Sequence, residues 1–560
     1  MIDRVTSLIE ELKRRKVIRA AGAYLVIAWV ALQVGETVFD LVFADPEAAR
    51  RLVLIALVLG FPVAMVVAWV FDVSPPQFKK EVDSAEARAD GTLEALSRHL
   101  RRDSVAVLPF ANLSGDPENS YFSDGITDDI ITSIAHIRGL RVLSRTSVAQ
   151  YKDDPGSVTD IAVQLNVATV VLGSVRRSGS RVRIVAEVVD ATQDLHLWSD
   201  TYDRELEDIF KVQSEVAQRI ADAVARELPA TDRKRIESRG TTDPEAYDLY
   251  LRGRHLWNHR TESATSEGVR YFQRALEHDP DFALAHAAMA EAQTVLGLYG
   301  AYAPQDVMPA AKQAADAALS IDPTLGEALA AKACIAGVFD WDWSAAEPAF
   351  QEAIALAPSY ATAHQWYALN LLAPLGRFAD ACVEMDLASE LDPNSAAIRV
   401  SQGVIALYSR HYEVAVEALR PVSEAYPRFG LTHYFLGQCH EQLGQVEAAI
   451  AAHSRAVELT EDSSETLAAL ANAHAGGGRD EDAEVILGRL RTRSKGRYVS
   501  HVLLAQVLIG LGREGDALAE LEQAVEERAT DLIWLAVRPS YDPIRDTPRF
   551  KAILADVGLS

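Results

Sequence analysis

The stretch "PRFGLTHYFLGQCHEQLGQVEAAIAAHSRAVELT", residues 427–460, decides most of the fold because its pattern recurs through the second half of the chain. A small residue, Gly437, stands ten positions after the opening proline, Gly444 stands seventeen positions after it, and Ala449 follows. The pattern predicts two helices that approach closely at Gly437 and are joined by a turn at Gly444. One such hairpin cannot bury its apolar face alone, so stacked neighbours must complete the core.

The same turn marks a series of repeats that begins near residue 243. The marks are Pro244, Pro280, Pro323, Pro358, Pro393 and Pro427, and further steps of 34 reach Glu461, Lys495 and Ala529. This spacing resembles that of the tetratricopeptide repeat, in which each unit is a helical hairpin. We therefore predict an all-α tetratricopeptide superhelix of about eight units over residues 243–529, with residues 530–560 as a capping segment.

The charge of the chain is distributed unevenly. Residues 1–102 carry 14 Lys and Arg against 13 Asp and Glu, which leaves 41 of the 55 basic and 67 of the 80 acidic residues for the remainder. A strongly acidic surface repels nucleic acid, so we expect no nucleic-acid partner. Cys334, Cys382 and Cys439 are far apart and fall in helical patterns, which favours neither a disulfide framework nor a metal site.

Two apolar stretches near the N-terminus predict a transmembrane hairpin over residues 20–72. Residues 52–71 are 20 residues without a charge, a length that crosses a hydrocarbon layer of about 30 Å. Residues 20–35 are 16 such residues before Glu36 and Asp40, so this stretch spans only if both carboxylates lie near the far interface. The hairpin therefore depends on where these two carboxylates lie.

Basic residues on both sides of the hairpin predict its orientation. The segment 1–19 contains "KRRKVIR", and more basic residues follow the second stretch, whereas only Arg50 and Arg51 lie between the two. Basic flanks stay in the cytoplasm, so we expect both ends and the soluble domains there, with residues 73–102 as a linker. The alternative is a single span at residues 52–71, which would place the soluble domains in the periplasm.

Residues 103–227 show strand and helix periods in alternation, which predicts an α/β domain. The strand "VAVLPF" is followed by a helix with isoleucines on one face, a short strand and a second helix. "ATVVLGSV" and "RVRIVAEVVD" flank "RRSGS" as a hairpin, with Val182, Ile184, Ala186 and Val188 pointing inward. A further strand and an amphipathic helix close the domain, and residues 228–242 link it to the repeats.

The loop after the first strand, in "SVAVLPFANLSGDPENSYFSDGITDDI" (104–130), has the strand, turn and helix start that bind phosphate in nucleotide enzymes. It lacks a G-x-G-x-x-G or G-K-[ST] motif and contains no Lys or Arg. We therefore interpret it as structural, with Asp124 capping the helix and Asp128 and Asp129 in its first turn. The alternative is a divalent-metal site built from Asp116, Glu118, Asp124 and Asp128.

Three long segments of this region resemble the TolB amino-terminal-like (FlgO-like) domain of bacterial proteins. They are "SVAVLPFANLSGDPENSYFSDGITDDIITSIA", "VLSRTSVAQYK" and "VATVVLGSVRRSGSRVRIVAEVVDATQDLHLWSDTYDRELEDIFKVQSEVA". The preceding "ELKRRKVIRAAGAYLVIAWVALQV" is similar to the membrane segments before this domain in many bacterial proteins. The resemblance implies a mixed-sheet α/β sandwich without known catalytic residues. Relatives often add a cyclase, winged-helix or kinase domain, and no such region is recognisable here.

Three histidines recur six residues after a mark, at His286, His364 and His433. They occupy one equivalent position per repeat and lack acidic or histidine partners at i+4, so packing is favoured over metal binding. His255 and His259 do have i, i+4 spacing, but no third ligand accompanies them. We therefore predict no metal site among the repeats.

The first helix of each unit lines the inner surface of a tetratricopeptide superhelix, so its inward positions are the candidate binding site. Counting from the marks assigns these positions to Gln365, Tyr408, Tyr434, Gln438, Glu441, Asn472 and Gln506. Amides can hydrogen-bond a peptide backbone and the two tyrosines can supply contact area, while the surrounding acidity favours a basic partner. The alternative is that these are ordinary solvated helix positions.

Together these features predict a non-catalytic, membrane-anchored scaffold of the bacterial inner membrane that binds protein or peptide partners, without a cofactor, in signalling or regulation. No P-loop, G-x-S-x-G, H-E-x-x-H or Cys/His metal motif occurs in the sequence. Two alternatives stay open. One is a periplasmic-facing sensor or envelope assembly factor with a single span, and the other is an unrecognised enzyme or a regulatory part of a cyclase-type signalling system.

Overall fold

The computed structural model describes residues 103–114, 120–152, 156–193, 195–205, 208–224, 240–259 and 261–559. The predicted membrane hairpin, residues 20–72, and its flanking segments lie outside these residues. None of the described helices combines the length and the apolarity needed to cross a bilayer. What the structure describes is an α/β region followed by helical repeats.

A mixed sheet organises the α/β region. Within the described residues its six strands are β1 Ser104–Val107, β2 Ala111–Asn112, β3 Arg141–Val142, β4 Thr169–Ser178, β5 Arg181–Asp190 and β6 Leu195–Glu205. The strand order is β3-β1-β4-β5-β6, and β2 pairs with β4 beyond the end of β1. β1 runs parallel to β3 and β4, whereas β4, β5 and β6 are antiparallel. The predicted mixed sheet is confirmed.

Among the described residues, four helices accompany the sheet: α1 Ser120–Ala135, α2 Arg145–Val148, α3 Val158–Leu165 and α4 Ile209–Val224. The isoleucines of α1 are buried as their spacing predicts, and α1 packs against α4. β4 and β5 form the predicted hairpin, whose turn contains Gly179 at φ +61°. The four inward residues predicted on β5 are all buried, because alternate side chains of this strand face the core.

The described residues between 244 and 526 form eight helical pairs. The first helices are α5 Pro244–Trp257, α7 Ala283–Leu298, α9 Gly326–Ile335, α11 Ala361–Tyr367, α13 Ala396–Tyr408, α15 Gly430–Gln442, α17 Ser464–Gly476 and α19 His501–Gly510. The second helices are α6 Glu262–His278, α8 Pro304–Ile321, α10 Trp343–Leu356, α12 Phe378–Leu391, α14 Tyr412–Ala425, α16 Val446–Leu459, α18 Asp480–Arg493 and α20 Glu514–Glu526. α9 and α11 each continue into a π turn, Ala336–Asp340 and Ala368–Leu372.

Small residues allow the two helices of a pair to approach closely. A Cβ atom at Gly437 would lie 2.5 Å from the ring of His453, and one at Gly403 would lie 2.5 Å from Leu419. The turn between α15 and α16 contains Gly444 at φ +69°, a backbone conformation that residues with a Cβ atom rarely adopt. The close helix approach at Gly437 and the turn at Gly444, both predicted from residues 427–460, are therefore present in the structure.

The chain after α20 is only partly a capping helix. Two 3₁₀ turns, Thr530–Trp534 and Pro539–Ile544, precede α21 Pro548–Val557. Thr547 caps α21 by accepting a hydrogen bond from the Phe550 amide at 3.3 Å, and α21 packs on α20. Residues 530–547, which we name the closing segment, leave the end of the stack and contact helices of earlier repeats.

The α/β region and the repeats share a continuous apolar core. Polar contacts join them at two turns between repeats: the Ser359 amide donates to the Ala135 carbonyl at 3.3 Å, and the Ser144 amide donates to the Leu391 carbonyl at 3.0 Å. The Ser147 hydroxyl donates to Asp392 Oδ1 at 2.6 Å. The α/β region is therefore held against the repeats by both apolar packing and specific hydrogen bonds.

Candidate protein-binding groove

First helices of successive pairs approach one another directly, as α17 does α19, whereas second helices are more widely spaced. A stack that is tighter on one side curves toward that side, so the first helices form the inner face. All seven predicted binding residues belong to these helices or their π turns. The repeat positions counted from the sequence thus place all seven residues in the layer of first helices.

The seven predicted residues divide into two sets by burial. Tyr408, Tyr434, Gln438 and Gln506 are buried, with 3, 0, 5 and 1 % of their surface exposed. Gln365, Glu441 and Asn472 keep part of their surface accessible. The two tyrosines therefore fill space between helices in this structure and offer little contact area on the surface. Peptide binding by this face stays a prediction, and it rests on the three accessible residues.

The structure brings Glu441 and Asn472 together but leaves Gln365 apart. Asn472 Nδ2 donates to Glu441 Oε2 at 3.3 Å, and His453 Nε2 lies 3.1 Å from Glu441 Oε1. Gln365 Nε2 donates instead to Ser401 Oγ at 3.1 Å. His453 was not among the predicted residues, although the small residue opposite it, Gly437, indicates that a large side chain fills the gap.

The closing segment lies over the inner face at α13. The ring of Trp534 is 5.1 Å from that of Tyr408, and Arg538 Nε donates to the Tyr408 hydroxyl at 3.2 Å. Val537 belongs to the same apolar cluster as Tyr408 and Cys439. The chain's own segment therefore buries the tyrosine that the sequence assigned to ligand contact.

Further contacts extend the closing segment across the stack. The Thr530 hydroxyl donates to the Gly297 carbonyl of α7 at 3.1 Å. The Tyr541 hydroxyl lies 3.4 Å from the Val502 carbonyl of α19, and Asp542 Oδ2 is 2.5 Å from Arg410 NH1. Helices from the second to the eighth pair thus contact a segment of 18 residues.

Arg538 is a buried cation between acidic and aromatic side chains. It is 4 % exposed. Burial lowers the pKa of an arginine, but here Tyr408, Tyr434, Tyr541 and Asp531 raise the pKa of Arg538 above its ordinary range. Burial also raises the pKa of Asp531 and of Glu465, and Arg538 opposes that rise in both. The guanidinium therefore compensates the carboxylates around it.

The acidic start of α1 differs from the sequence interpretation. The helix begins at Ser120, so Asp124 lies inside it and does not cap it. Lys152 Nζ is 2.6 Å from Asp124 Oδ1, and Arg145 Nε is 2.8 Å from Asp128 Oδ1. Asp116 and Glu118 lie outside the described residues. Cations from later in the chain thus pair with Asp124 and Asp128, two of the four carboxylates considered for a metal site.

Asp129 of α1 is buried beside the first repeat helix. Its Oδ2 accepts hydrogen bonds from the Tyr247 hydroxyl at 2.8 Å and from Gln213 Nε2 at 2.9 Å. Burial raises the pKa of Asp129 to about 7, although the hydrogen bond from Tyr247 and the charge of Arg254 oppose the shift. This group joins α1, α4 and α5. Because α1 begins at Ser120, Asp128 and Asp129 lie beyond its first turn, and the first-turn position predicted from the sequence is wrong.

Two of the recurrent histidines contact backbone carbonyl groups of the turns that precede them. His286 Nε2 lies 2.9 Å from the Pro280 carbonyl oxygen, and His364 Nε2 lies 3.2 Å from the Pro358 carbonyl oxygen. Among the described residues no group of three His, Cys, Asp or Glu side chains is arranged to hold a metal ion. The contact with the carbonyl oxygen of the preceding turn therefore explains why a histidine recurs at this position in His286 and His364.

Comparison with known proteins finds a family model that matches part of the helical stack. Residues 400–465 match the family model of the tetratricopeptide repeat. A crystal structure of a tetratricopeptide repeat protein from Parabacteroides merdae is 14 % identical, with a TM-score of 0.35 over 49 % of this chain and 100 % of that one. The family match thus covers residues 400–465 of the helical stack.

Two curated proteins share longer stretches of sequence with the chain. A Rhizobium meliloti (strain 1021) protein named "Putative adenylate cyclase 3" is 46 % identical over 188 residues, which are 34 % of this chain and 32 % of that protein. The transcriptional regulator HilA of Salmonella typhimurium is 24 % identical over 201 residues, 36 % of this chain and 35 % of HilA. The chain thus spans about a third of the length of each relative.

Proposed function

We propose that the chain is a membrane-anchored scaffold that binds protein partners through its tetratricopeptide repeats. The observation that carries the proposal is the stack of eight described helical pairs, whose first helices form one continuous inner face. Stacked helical repeats present extended surfaces of this kind to proteins and peptides. Anchoring rests on the apolar stretches within residues 20–72.

Charge favours a basic partner. Residues 103–560 contain 67 acidic and 41 basic side chains, so their field attracts positively charged proteins during encounter. Glu441 adds a partly accessible carboxylate on the inner face next to Asn472. A partner peptide with lysine or arginine side chains fits this surface better than an acidic one.

Affinity capture from detergent-solubilised membranes tests the proposal. The full chain and a chain that ends after residue 240 are used as baits. We expect partners that the full chain captures and the truncated chain does not. Capture of the same proteins by both baits would show that the repeats are not the binding region.

A variant distinguishes the inner face from the rest of the repeats. Gln365, Glu441 and Asn472 are changed together to Ala, since these residues are partly accessible. We expect the affinity for a captured partner to fall about tenfold, the usual effect of removing a few central contacts. The matched control changes Glu484 and Arg513, an exposed ion pair between α18 and α20, and should leave affinity unchanged. If the triple variant binds the partner as tightly as the wild-type chain and unfolds at the same temperature, the binding site lies outside these three residues.

A role in cyclase-type signalling is a second candidate, because the chain shares 46 % identity over 188 residues with the cyclase-named Rhizobium protein. In this case the shared part would regulate or localise a cyclase, while cyclase chemistry would reside in another protein. Deletion of the gene should then change the cellular cyclic AMP level, and the full chain should restore it. An unchanged level under inducing and non-inducing conditions would remove this candidate.

A further inference from the structure

We propose that the closing segment is an intramolecular ligand of the inner face, and that it holds the place of a partner peptide that carries an aromatic residue and, four positions later, an arginine. The inference rests on the proposed function, because it names the partner chemistry of the same surface. It also predicts that binding is restrained until the closing segment detaches.

Only side chains connect the closing segment to the repeats, within the part of the chain that the structure describes. The backbone hydrogen bonds of residues 530–547 join residues of the segment, Ala529 or Lys551 of α21, as from the Arg538 amide to the Trp534 carbonyl at 2.8 Å, and among the described residues none joins the helical pairs. The Arg545 guanidinium donates to the carbonyls of Leu535 and Ala536 and fixes the turn between the two 3₁₀ turns. A helical peptide bound in a groove is held in the same way, through the side chains of one face.

Trp534 and Arg538 are the two side chains that define the recognised pattern. Their spacing of four residues, closed by the amide-to-carbonyl bond, places both on one side of a helical turn. Both contact Tyr408, with a ring-to-ring distance of 5.1 Å for Trp534 and a hydrogen bond of 3.2 Å for Arg538. An aromatic residue and an arginine are also the side chains that contribute most in protein interfaces.

The repeats supply what an arginine needs. Tyr408 offers a hydroxyl acceptor, and Glu465 of α17 is close enough for its charge to act on Arg538. When the closing segment leaves, these groups lose their cationic partner. A competing peptide with an arginine of its own restores the donor to the Tyr408 hydroxyl, whereas a peptide without an arginine does not.

One exposed ion pair at the end of the segment allows a mild weakening of its attachment. Arg410 and Asp542 are 2.5 Å apart, with 39 % and 45 % of their side chains exposed. Exposed pairs contribute little to global stability, so Arg410→Ala should leave the helices intact. The pair Glu484 and Arg513 is similarly exposed, lies away from the closing segment and provides the matched control.

Hydrogen exchange on the detergent-solubilised full chain gives the first test. Detached, a segment of this length has no stable structure, so its amides exchange each time it opens. We expect residues 530–547 to exchange at least about tenfold faster than α13, α15 and α17, and Arg410→Ala to increase that rate while Glu484→Ala does not. Exchange of the segment only together with these helices, in the wild-type chain and in Arg410→Ala, would overturn the inference.

A labelled peptide with the sequence of residues 530–547 gives the second test. We expect it to bind a full-length Trp534→Ala/Arg538→Ala chain at least about tenfold more tightly than the wild-type chain, in which the segment occupies the site. A peptide carrying the same two changes should bind neither chain. If the double variant does not fold, the Arg410→Ala chain is used, with the same expected direction. Equal binding to the occupied and the weakened chains would contradict the inference.

The outcomes separate this inference from the proposed function. Repeat-dependent partners captured equally well by the wild-type and the weakened chains would support the scaffold and overturn self-occupation of its groove. Binding of the labelled peptide to the weakened chain, without any repeat-dependent partner in membranes, would support self-occupation and overturn the scaffold.

Discussion

Burial changes the chemistry of Asp129. Its carboxylate lies between α1, α4 and α5, and its two hydrogen-bond donors are Tyr247 and Gln213. Desolvation disfavours the ionised form more than these donors and Arg254 favour it, so the pKa rises from 3.8 to about 7. A residue that the sequence analysis assigned to the first turn of a helix thus becomes a titrating group where α1, α4 and α5 meet.

Asp129 should make stability depend on pH. The folded chain retains a proton that the unfolded chain releases near pH 4, so the free energy of unfolding falls as the pH rises from about 4 to about 7. Asp129→Asn cannot ionise and keeps an oxygen acceptor for Tyr247 and Gln213. We expect the variant to gain up to about 4 kcal/mol relative to the wild type between pH 4 and 8, measured by chemical denaturation.

Asp203→Asn is the control for that measurement. Asp203 is paired with Arg183 on the sheet surface, and this hydrogen bond lowers its pKa. Its titration therefore lies below that of an ordinary aspartate, and its replacement should not change the pH dependence between pH 5 and 8. A wild-type curve parallel to that of Asp129→Asn would show that Asp129 ionises normally.

The helical hairpin is the element in which local sequence and packing agree most closely. Gly437 of α15 faces the ring of His453 of α16, and no Cβ atom fits between them. Gly444 supplies the positive φ that ends one helix and turns the chain into the next. A small residue, Gly or Ala, recurs at the Gly437 position, and glycine recurs at the Gly444 position in Gly478 and Gly512, so a single sequence predicts this element.

Gly437→Ala should destabilise the repeats. The new Cβ atom would lie 2.5 Å from the His453 ring, and the shift that relieves this overlap costs about 1–3 kcal/mol. The matched control is Gly488→Ala in α18, where the new atom meets nothing within 4 Å. Alanine inside an exposed helix should stabilise by about 0.5–1 kcal/mol. We expect the two substitutions to change the free energy of unfolding in opposite directions relative to the wild type. Equal changes would contradict the close packing at Gly437.

The amides and tyrosines of the inner face were less predictable than the hairpin. Their helix positions follow from the repeat period, but their exposure depends on what else covers the first helices. Tyr408 is covered by Trp534 and Arg538, which follow it by more than 120 residues. The period of one helix contains no information about such a distant contact.

For the whole molecule, the α/β region and the repeats form one body within the described residues. Hydrogen bonds from Ser144, Ser147 and Ser359 join them at two repeat turns, and a shared core lies beneath. A change at this junction therefore reaches the turns that precede the fourth and fifth helical pairs directly. In the proposed anchored scaffold, residues 1–102 set the side of the membrane on which this body lies, and their charge pattern predicts the cytoplasmic side.

Fusions after residue 110 test that prediction. With both basic flanks in the cytoplasm, a fluorescent protein fused there should fluoresce and alkaline phosphatase should be inactive. The same fusions in a variant with the basic residues of segment 1–19 changed to glutamine should lose this bias. Phosphatase activity with a dark fluorescent fusion in the wild type would place the soluble domains in the periplasm.

The sequence by itself determined the helical repeats, the strand and helix alternation and the positions of the tight turns. These are local properties, because periodicity and glycine conformation act over a few residues. Only the tertiary structure decided which polar residues are buried, which cations neutralise Asp124 and Asp128, and what covers the inner face. The physical reason is distance along the chain: Arg538 reaches Tyr408 across 130 residues, and only the stacking of the intervening helices brings them together.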